Sequence, residues 1–159
     1  MSVRIRFAEA SDVPTIAELI RALSRFEKLE HAVTMTEDLL TASLFGPRPY
    51  AETLIAEDGD EPVGFALFFH TFSTFLALPG IYLEDLFVIP ERRGGGVGRA
   101  LLERLAQIAL ERGCGRLEWA VLNWNSDAIG FYERLGARPN SEWTVYRLAG
   151  EPLRILARQ

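Results

Sequence analysis

Cysteine is almost absent from this chain, and the single Cys114 leaves no partner for an intramolecular disulfide. Histidine is equally scarce: His31 and His70 stand alone, and no Cys/His/carboxylate cluster has metal-ligand spacing, so no metal is expected. No apolar run approaches the length of a membrane span, and the start, Met-Ser-Val-Arg-Ile-Arg-Phe, has no apolar signal core. A reducing cytoplasm without a membrane partner is the expected setting. Internal repeats, low-complexity tracts and Ser/Pro-rich linkers are missing too, so residues 1–159 are expected to form one domain. Excess positive charge is also lacking. A net charge of −5 works against binding nucleic acid and mildly favours a cationic substrate.

What is present suits one packed core: 48% hydrophobic residues, with 10 Phe, 4 Tyr and 3 Trp. Val3–Phe7 alternates like a strand. Ser11 or Asp12 can cap a helix with Pro14 in its first turn and Val13, Ile16, Ile20 and Leu23 on one stripe. A short helix is expected from about Thr36 to Gly46-Pro47, then strands over Thr53–Glu57 and Val63–His70 around the Asp58–Pro62 turn. Gly80–Ile89 reads as a strand, followed by a glycine-rich loop and a helix carrying Val97, Leu101, Leu105 and Ile108. Arg116–Leu122 reads as a strand, Asn125–Leu135 as a helix closed by Gly136, and Trp143–Leu148 as a last strand. The order is mixed α/β.

The glycine loop, Arg92-Arg93-Gly94-Gly95-Gly96-Val97-Gly98-Arg99, lies between a strand and a helix N-terminus. Unpaired amides and the helix dipole favour an anion there, and glycine lets a phosphate approach the backbone. A solvated turn carrying three arginines is the plainer reading. A Walker loop requires Lys-Ser/Thr where Arg99-Ala100 stands, and the dinucleotide pattern requires a third glycine where Arg99 or Leu101 stands. Neither nucleotide class fits.

Two further features carry possible chemistry. Glu84 and Asp85 are adjacent in an otherwise apolar strand, so alternation forces them to opposite faces unless a bulge intervenes. Either could instead be paired with Arg92 or Arg93. Tyr132 lies on the apolar stripe of its helix, where a tyrosine is ordinarily core. Asn125 is placed as an N-cap, and Glu27 and Glu30 read as solvated charge after the first helix.

Taken together, these segments resemble the GNAT family of N-acetyltransferases. The resemblance rests on Arg93-Gly94-Gly95-Gly96-Val97-Gly98, Tyr82–Val88, Trp124-Asn125-Ser126 and Phe131–Ala137, in family order over nearly the whole chain. Phe26–Glu30 with Thr36-Glu37 is similar to the spermidine/spermine and thialysine acetyltransferase branch. The resemblance implies the GNAT fold: a mixed, mostly antiparallel sheet split by a bulged strand, with helices on both faces. It implies acetyl-CoA as co-substrate, held by Leu86, Phe87, Val88, Arg93, Gly94, Gly95, Gly96, Val97, Gly98, Arg99, Asn125 and Ala128. Phe26, Glu27, Glu30, Glu84 and Asp85 would receive a small cationic amine. Glu84, Asp85 or a water chain would take its proton, and Tyr132 would protonate the departing thiolate. A homodimer is implied as well. The chain departs from the polyamine branch at Trp143-Thr144, where those enzymes carry an acidic pair, so a shorter diamine or a thialysine-like amino acid suits it at least as well. The rival expectations are a non-catalytic acetyl-CoA-binding regulator and a protein lysine or N-terminal acetyltransferase.

Overall fold

The computed structural model describes residues 2–158, which form two compact units, Met1–Ala120 and Val121–Gln159. The first holds one five-stranded sheet in the order β1-β2-β3-β4-β5. β1 (Val3–Phe7), β2 (Glu52–Asp58), β3 (Glu61–Ser73) and β4 (Leu78–Val88) pair antiparallel in succession, and β5 (Leu117–Trp119) joins β4 in parallel. A parallel neighbour requires a crossover, supplied by α3 (Val97–Glu111).

Alternation along the strands sends side chains to two covered faces. Ile55, Phe65 and Phe87 pack with Val13, Ile16, Leu19 and Leu23 of α1 (Val13–Phe26) and with Leu40 and Leu44 of α2 (Glu37–Phe45). Their sequence neighbours Leu54, Ala66 and Val88 face the other way. The apolar stripe of α3, with Val97, Leu101, Leu105 and Ile108 buried, covers that second face.

The helix starts follow local chemistry. Thr36 caps α2 by accepting the Leu39 N–H, as its position predicts. Asp12 precedes α1 but makes no such cap. Its carboxylate instead accepts the Glu9 N–H at 2.7 Å and two bonds from Arg6 at 2.8 Å each. Arg6 also reaches the buried Glu57 of β2 at 2.9 Å, and these bonds hold both carboxyls below the usual carboxylate range. The entrance to α1 is thereby fixed to β1 and β2.

The structure corrects four sequence-based boundaries. β3 and β4 run longer than expected, through Pro62 and Pro79 near their starts, because proline is tolerated where no ladder donor is needed. β5 keeps only three of the seven expected residues. In the second unit α4 (Ser126–Arg134) ends as expected before Gly136, whose φ of 95° suits glycine. Trp143–Leu148, however, forms no strand. Alternation makes a segment ready to pair, but the described residues of this unit contain no strand to pair with. Gly150–Ala157, not expected, is helix α5, with Pro152 inside the first turn where its missing N–H costs nothing.

Candidate active site

After β4, a 3-10 turn at Pro90–Arg92 leads through Arg93 to the glycine loop. Gly94 and Gly96 adopt φ of 79° and 89°, a region that L residues other than glycine rarely enter. Gly96 is the N-cap of α3, and no side chain caps this end. The first helical bond runs from the Ala100 N–H to the Gly96 carbonyl at 2.9 Å, leaving the Val97, Gly98 and Arg99 amides without helical acceptors. A Cβ at Gly94 or Gly96 would meet no atom within 4 Å, so the surface before these amides is open. The residues fit a diphosphate.

The three arginines contribute less than their number suggests. Arg92 is bonded to Asp58 of β2. The Arg99 Nε bonds Glu103 at 2.8 Å in an exposed pair one helical turn long. Arg93 donates to the Val88 carbonyl at 3.0 Å and stacks on two rings, with its guanidinium carbon 4.4 Å from the Phe26 centroid and 5.3 Å from that of Phe87. An anion approaching this helix start would therefore meet backbone amides before side-chain cations.

β4 contains the irregularity expected of it. Leu67 of β3 faces Asp85 while the next residue, Phe68, faces Leu83, so Glu84 is the extra residue of a bulge. Pairing with β5 also stops at Leu83↔Trp119. From Glu84 to Val88 the strand is bonded on its β3 side only, among the described residues. Ile89 donates to Val63 of β3, so alternation turns the Val88 and Leu86 amides toward the open side. Leu86 and Val88 are among the residues to which the family resemblance assigns the cofactor.

The bulge also separates the two carboxylates. Glu84 is exposed, whereas Asp85 is half-buried on the α1 face it shares with Phe87. Burial pushes Asp85 up to about 6, and the negative charges of Glu84 and Glu27 push in the same direction. Glu27, directly after α1, is itself raised by burial. Neither carboxylate of β4 forms an ion pair with Arg92 or Arg93, so the plainer reading of the pair is set aside. Glu30 lies exposed in a separate 3-10 turn and is not part of this group. Asp85 is thus the partly buried carboxylate on which the charges of Glu84 and Glu27 both act.

In the second unit, Asn125 is the N-cap of α4, its side-chain carbonyl accepting the Ala128 N–H at 3.3 Å. The Asn125 NH2 group is the part left to address a ligand. Tyr132 is half-buried on α4 with its ring centroid 5.6 Å from that of Phe131. Among the described residues, no group of three His, Cys, Asp or Glu side chains could hold a metal ion. Among the described residues no helix is long and apolar enough to cross a membrane.

An uncapped glycine-rich helix start thus follows a bulged strand whose second edge is unpaired beyond Leu83. Residues 15–137 match the acetyltransferase (GNAT) family. The chain is 39% identical to thialysine N-epsilon-acetyltransferase from Mus musculus over 98% of both chains. It is 33% identical to an L-ornithine N5-acetyltransferase from Arabidopsis thaliana, over 98% of this chain and 88% of that one. An integron cassette protein from V. cholerae superposes with a TM-score of 0.84 at 30% identity, over 100% of this chain and 99% of that one. The chain belongs to the GNAT acetyltransferase family and is an acetyltransferase, for which acetyl-CoA is the implied co-substrate.

The backbone cradle generates a direct test. Gly96→Val places a β-branched side chain at φ 89° and in the open space before the amides. Acetyl-CoA affinity, measured by calorimetry, should fall by roughly tenfold or more, the factor that 1.4 kcal/mol represents. Wild-type affinity in a folded variant would remove the phosphate assignment.

Proposed function

We propose that the chain acts as a single catalytic domain that acetylates a primary amine of a small cationic acceptor by direct transfer, with a short diamine or thialysine-like amino acid favoured. The observation that carries this reading is the carboxylate group Glu27, Glu84 and Asp85 at the bulge, next to the outward-turned amides of Leu86 and Val88. The family match runs from residue 15 to 137 and so includes residues of each unit.

In this mechanism the helix-start amides and Gly94–Gly98 hold the diphosphate, Asn125 donates to the pantetheine arm, and the Val88 and Leu86 amides bond the strand-like arm and polarise the thioester carbonyl. Phe26 supplies an apolar wall for the acceptor and Glu27 attracts its distal charge. Asp85, with exposed Glu84 assisting through water, takes the proton from the attacking ammonium. The amine nitrogen then bonds the thioester carbon, and the carbon–sulfur bond breaks. Tyr132 gives its hydroxyl proton to the departing thiolate, and the second proton that the nitrogen must lose to become an amide passes through water to restore the phenol. Oxyanion stabilisation and general acid–base help are the chemical contributions required.

The test is an amine panel: spermidine, putrescine, thialysine, lysine and a lysine-rich peptide, each assayed for acetyl-CoA-dependent release of free CoA thiol. Rapid turnover of a small diamine or thialysine is expected. Turnover of the peptide alone would assign a protein acetyltransferase, and binding without turnover a regulatory module.

The two proton-transfer roles separate in the pH–rate profile of the best amine. Asp85 must be ionised to act, so kcat/KM should rise with pH through about 6, where burial and its acidic neighbours place it. A bound cation favours the carboxylate, so the corresponding limb in kcat should lie at lower pH. Asp85→Asn should remove that limb and most of the rate. Tyr132→Phe should lower kcat by about 10²–10⁴-fold with little change in the KM for acetyl-CoA. A Phe variant at full rate would return Tyr132 to the core, and an unchanged Asn variant would pass the base role to Glu84.

We further propose a homodimer in a reducing cytoplasm. Every described residue from Arg138 to Arg158 is exposed, including Trp143 at 75%, Val145 at 91% and Tyr146 at 93%. Apolar surface of that extent is what an interface covers. Sedimentation as a species twice the 17.8-kDa chain is expected, and a monomer across micromolar concentrations would discard the dimer. Cell fractionation checks the location.

A further inference from the structure

We propose that Arg93 is an acceptor-side positioning residue and not a phosphate ligand: stacked on Phe26 and Phe87 and bonded to the Val88 carbonyl, it fastens the end of α1, and with it Glu27, against the open edge of β4. The proposal rests on the acetyl-transfer reading for its kinetics but not for its geometry.

Three elements meet at this one guanidinium. Val88 belongs to the half-paired stretch of β4, and its carbonyl shares the open side with its amide. The Arg93 Nε occupies that carbonyl at 3.0 Å, where a β5 residue would otherwise bond. Phe26 is the last residue of α1, and its ring lies 4.4 Å from the guanidinium carbon. Phe87 brings the core face of β4 to the same cation at 5.3 Å. A planar, delocalised cation stacks on rings and donates in plane, which an ammonium cannot reproduce.

The end of α1 is a place that needs fastening. Lys28 takes φ of 60°, in the left-handed region, and the Leu29 N–H bonds back to the Ser24 carbonyl at 2.8 Å to close the helix. A lysine there is strained and persists only where the surroundings impose the turn. Glu27 sits between Phe26, which Arg93 grips, and this strained residue. Its carboxylate position beside Asp85 is therefore set from both sides. Arg93 also immediately precedes Gly94, so the same side chain ties the acceptor wall to the first residue of the phosphate loop.

The experiment compares Arg93→Ala, Arg93→Lys, Phe26→Ala and the Arg93→Ala/Phe26→Ala double variant. Arg93→Ala should raise the amine KM about 3–10-fold, as loss of exposed cation–π contacts would. Acetyl-CoA affinity by calorimetry should stay within about twofold of wild type. Arg93→Lys should not restore the amine KM, and the double variant should be little worse than either single one. The opposite pattern overturns the proposal: acetyl-CoA binding weakened tenfold, rescued by lysine, with the amine KM unchanged. If no amine on the panel is turned over, the acetyl-transfer reading fails by itself. The positioning claim is then judged by acetyl-CoA affinity and by a urea-unfolding double-mutant cycle on Arg93 and Phe26. Coupled stabilities with unchanged affinity support it, and additive stabilities overturn it. Should Arg93→Ala not fold, Arg93→Gln, which keeps the bond to Val88 without the cation, replaces it in every comparison.

Discussion

One extra residue in β4 organises the site. Without Glu84 as a bulge, β4 could continue its parallel ladder with β5 past Leu83, and the Leu86 and Val88 amides would be spent on the sheet. With it, pairing ends and two donors are turned outward within a rigid strand. A backbone group denied a partner costs about 1–3 kcal/mol when buried. The strand reduces that cost on its carbonyl side through Arg93, and in the proposed mechanism pantetheine supplies the acceptors on the amide side.

The same bulge sets the electrostatics. It turns Glu84 outward and leaves Asp85 on the face where α1 ends and Glu27 lies. Raising Asp85 from 3.8 to about 6 corresponds to roughly 3 kcal/mol of unfavourable charge that the protein alone leaves uncompensated. A cation placed beside it relieves the repulsion, so acceptor binding and ionisation of the base favour one another. No single exposed carboxylate supplies this preference. It comes from burial acting on one acid together with like charge from two others, which also explains why exposed Glu30, on its separate turn, adds nothing to it.

The portions legible in the sequence are those governed by neighbours in the chain. Val3–Phe7 alternates and is β1, Thr36 caps α2, and the glycine loop leads into α3 through left-handed backbone at Gly96. Asn125 reads as a cap and is one. What escaped reading depends on partners distant in sequence. Trp143–Leu148 has the pattern of a strand without a strand beside it in its unit, and β5 stops early because β4 turns irregular at Glu84, not because of its own residues. The ranking of Asp85 over Glu84 was equally hidden, since alternation reveals that the two diverge but not which face α1 covers. Arg93 reads as phosphate-binding charge because its sequence neighbours are glycines, whereas the rings it stacks on, Phe26 and Phe87, lie 67 and 6 positions upstream.

These assignments divide recognition between two kinds of group. The cofactor side is built from amides of Leu86, Val88 and the α3 start, whose directions are fixed by φ, ψ and strand pairing and change little with side-chain identity. The acceptor side is built from Phe26, Glu27, Glu84 and Asp85, all side chains. Substituting any of these four alters charge or shape before the acceptor without disturbing a single amide that faces the cofactor. A scaffold arranged in this way can keep one acyl donor while its amine preference shifts, and on the proposed reading Arg93 would move with such a shift, because it bonds the backbone of one side and stacks on the aromatic wall of the other.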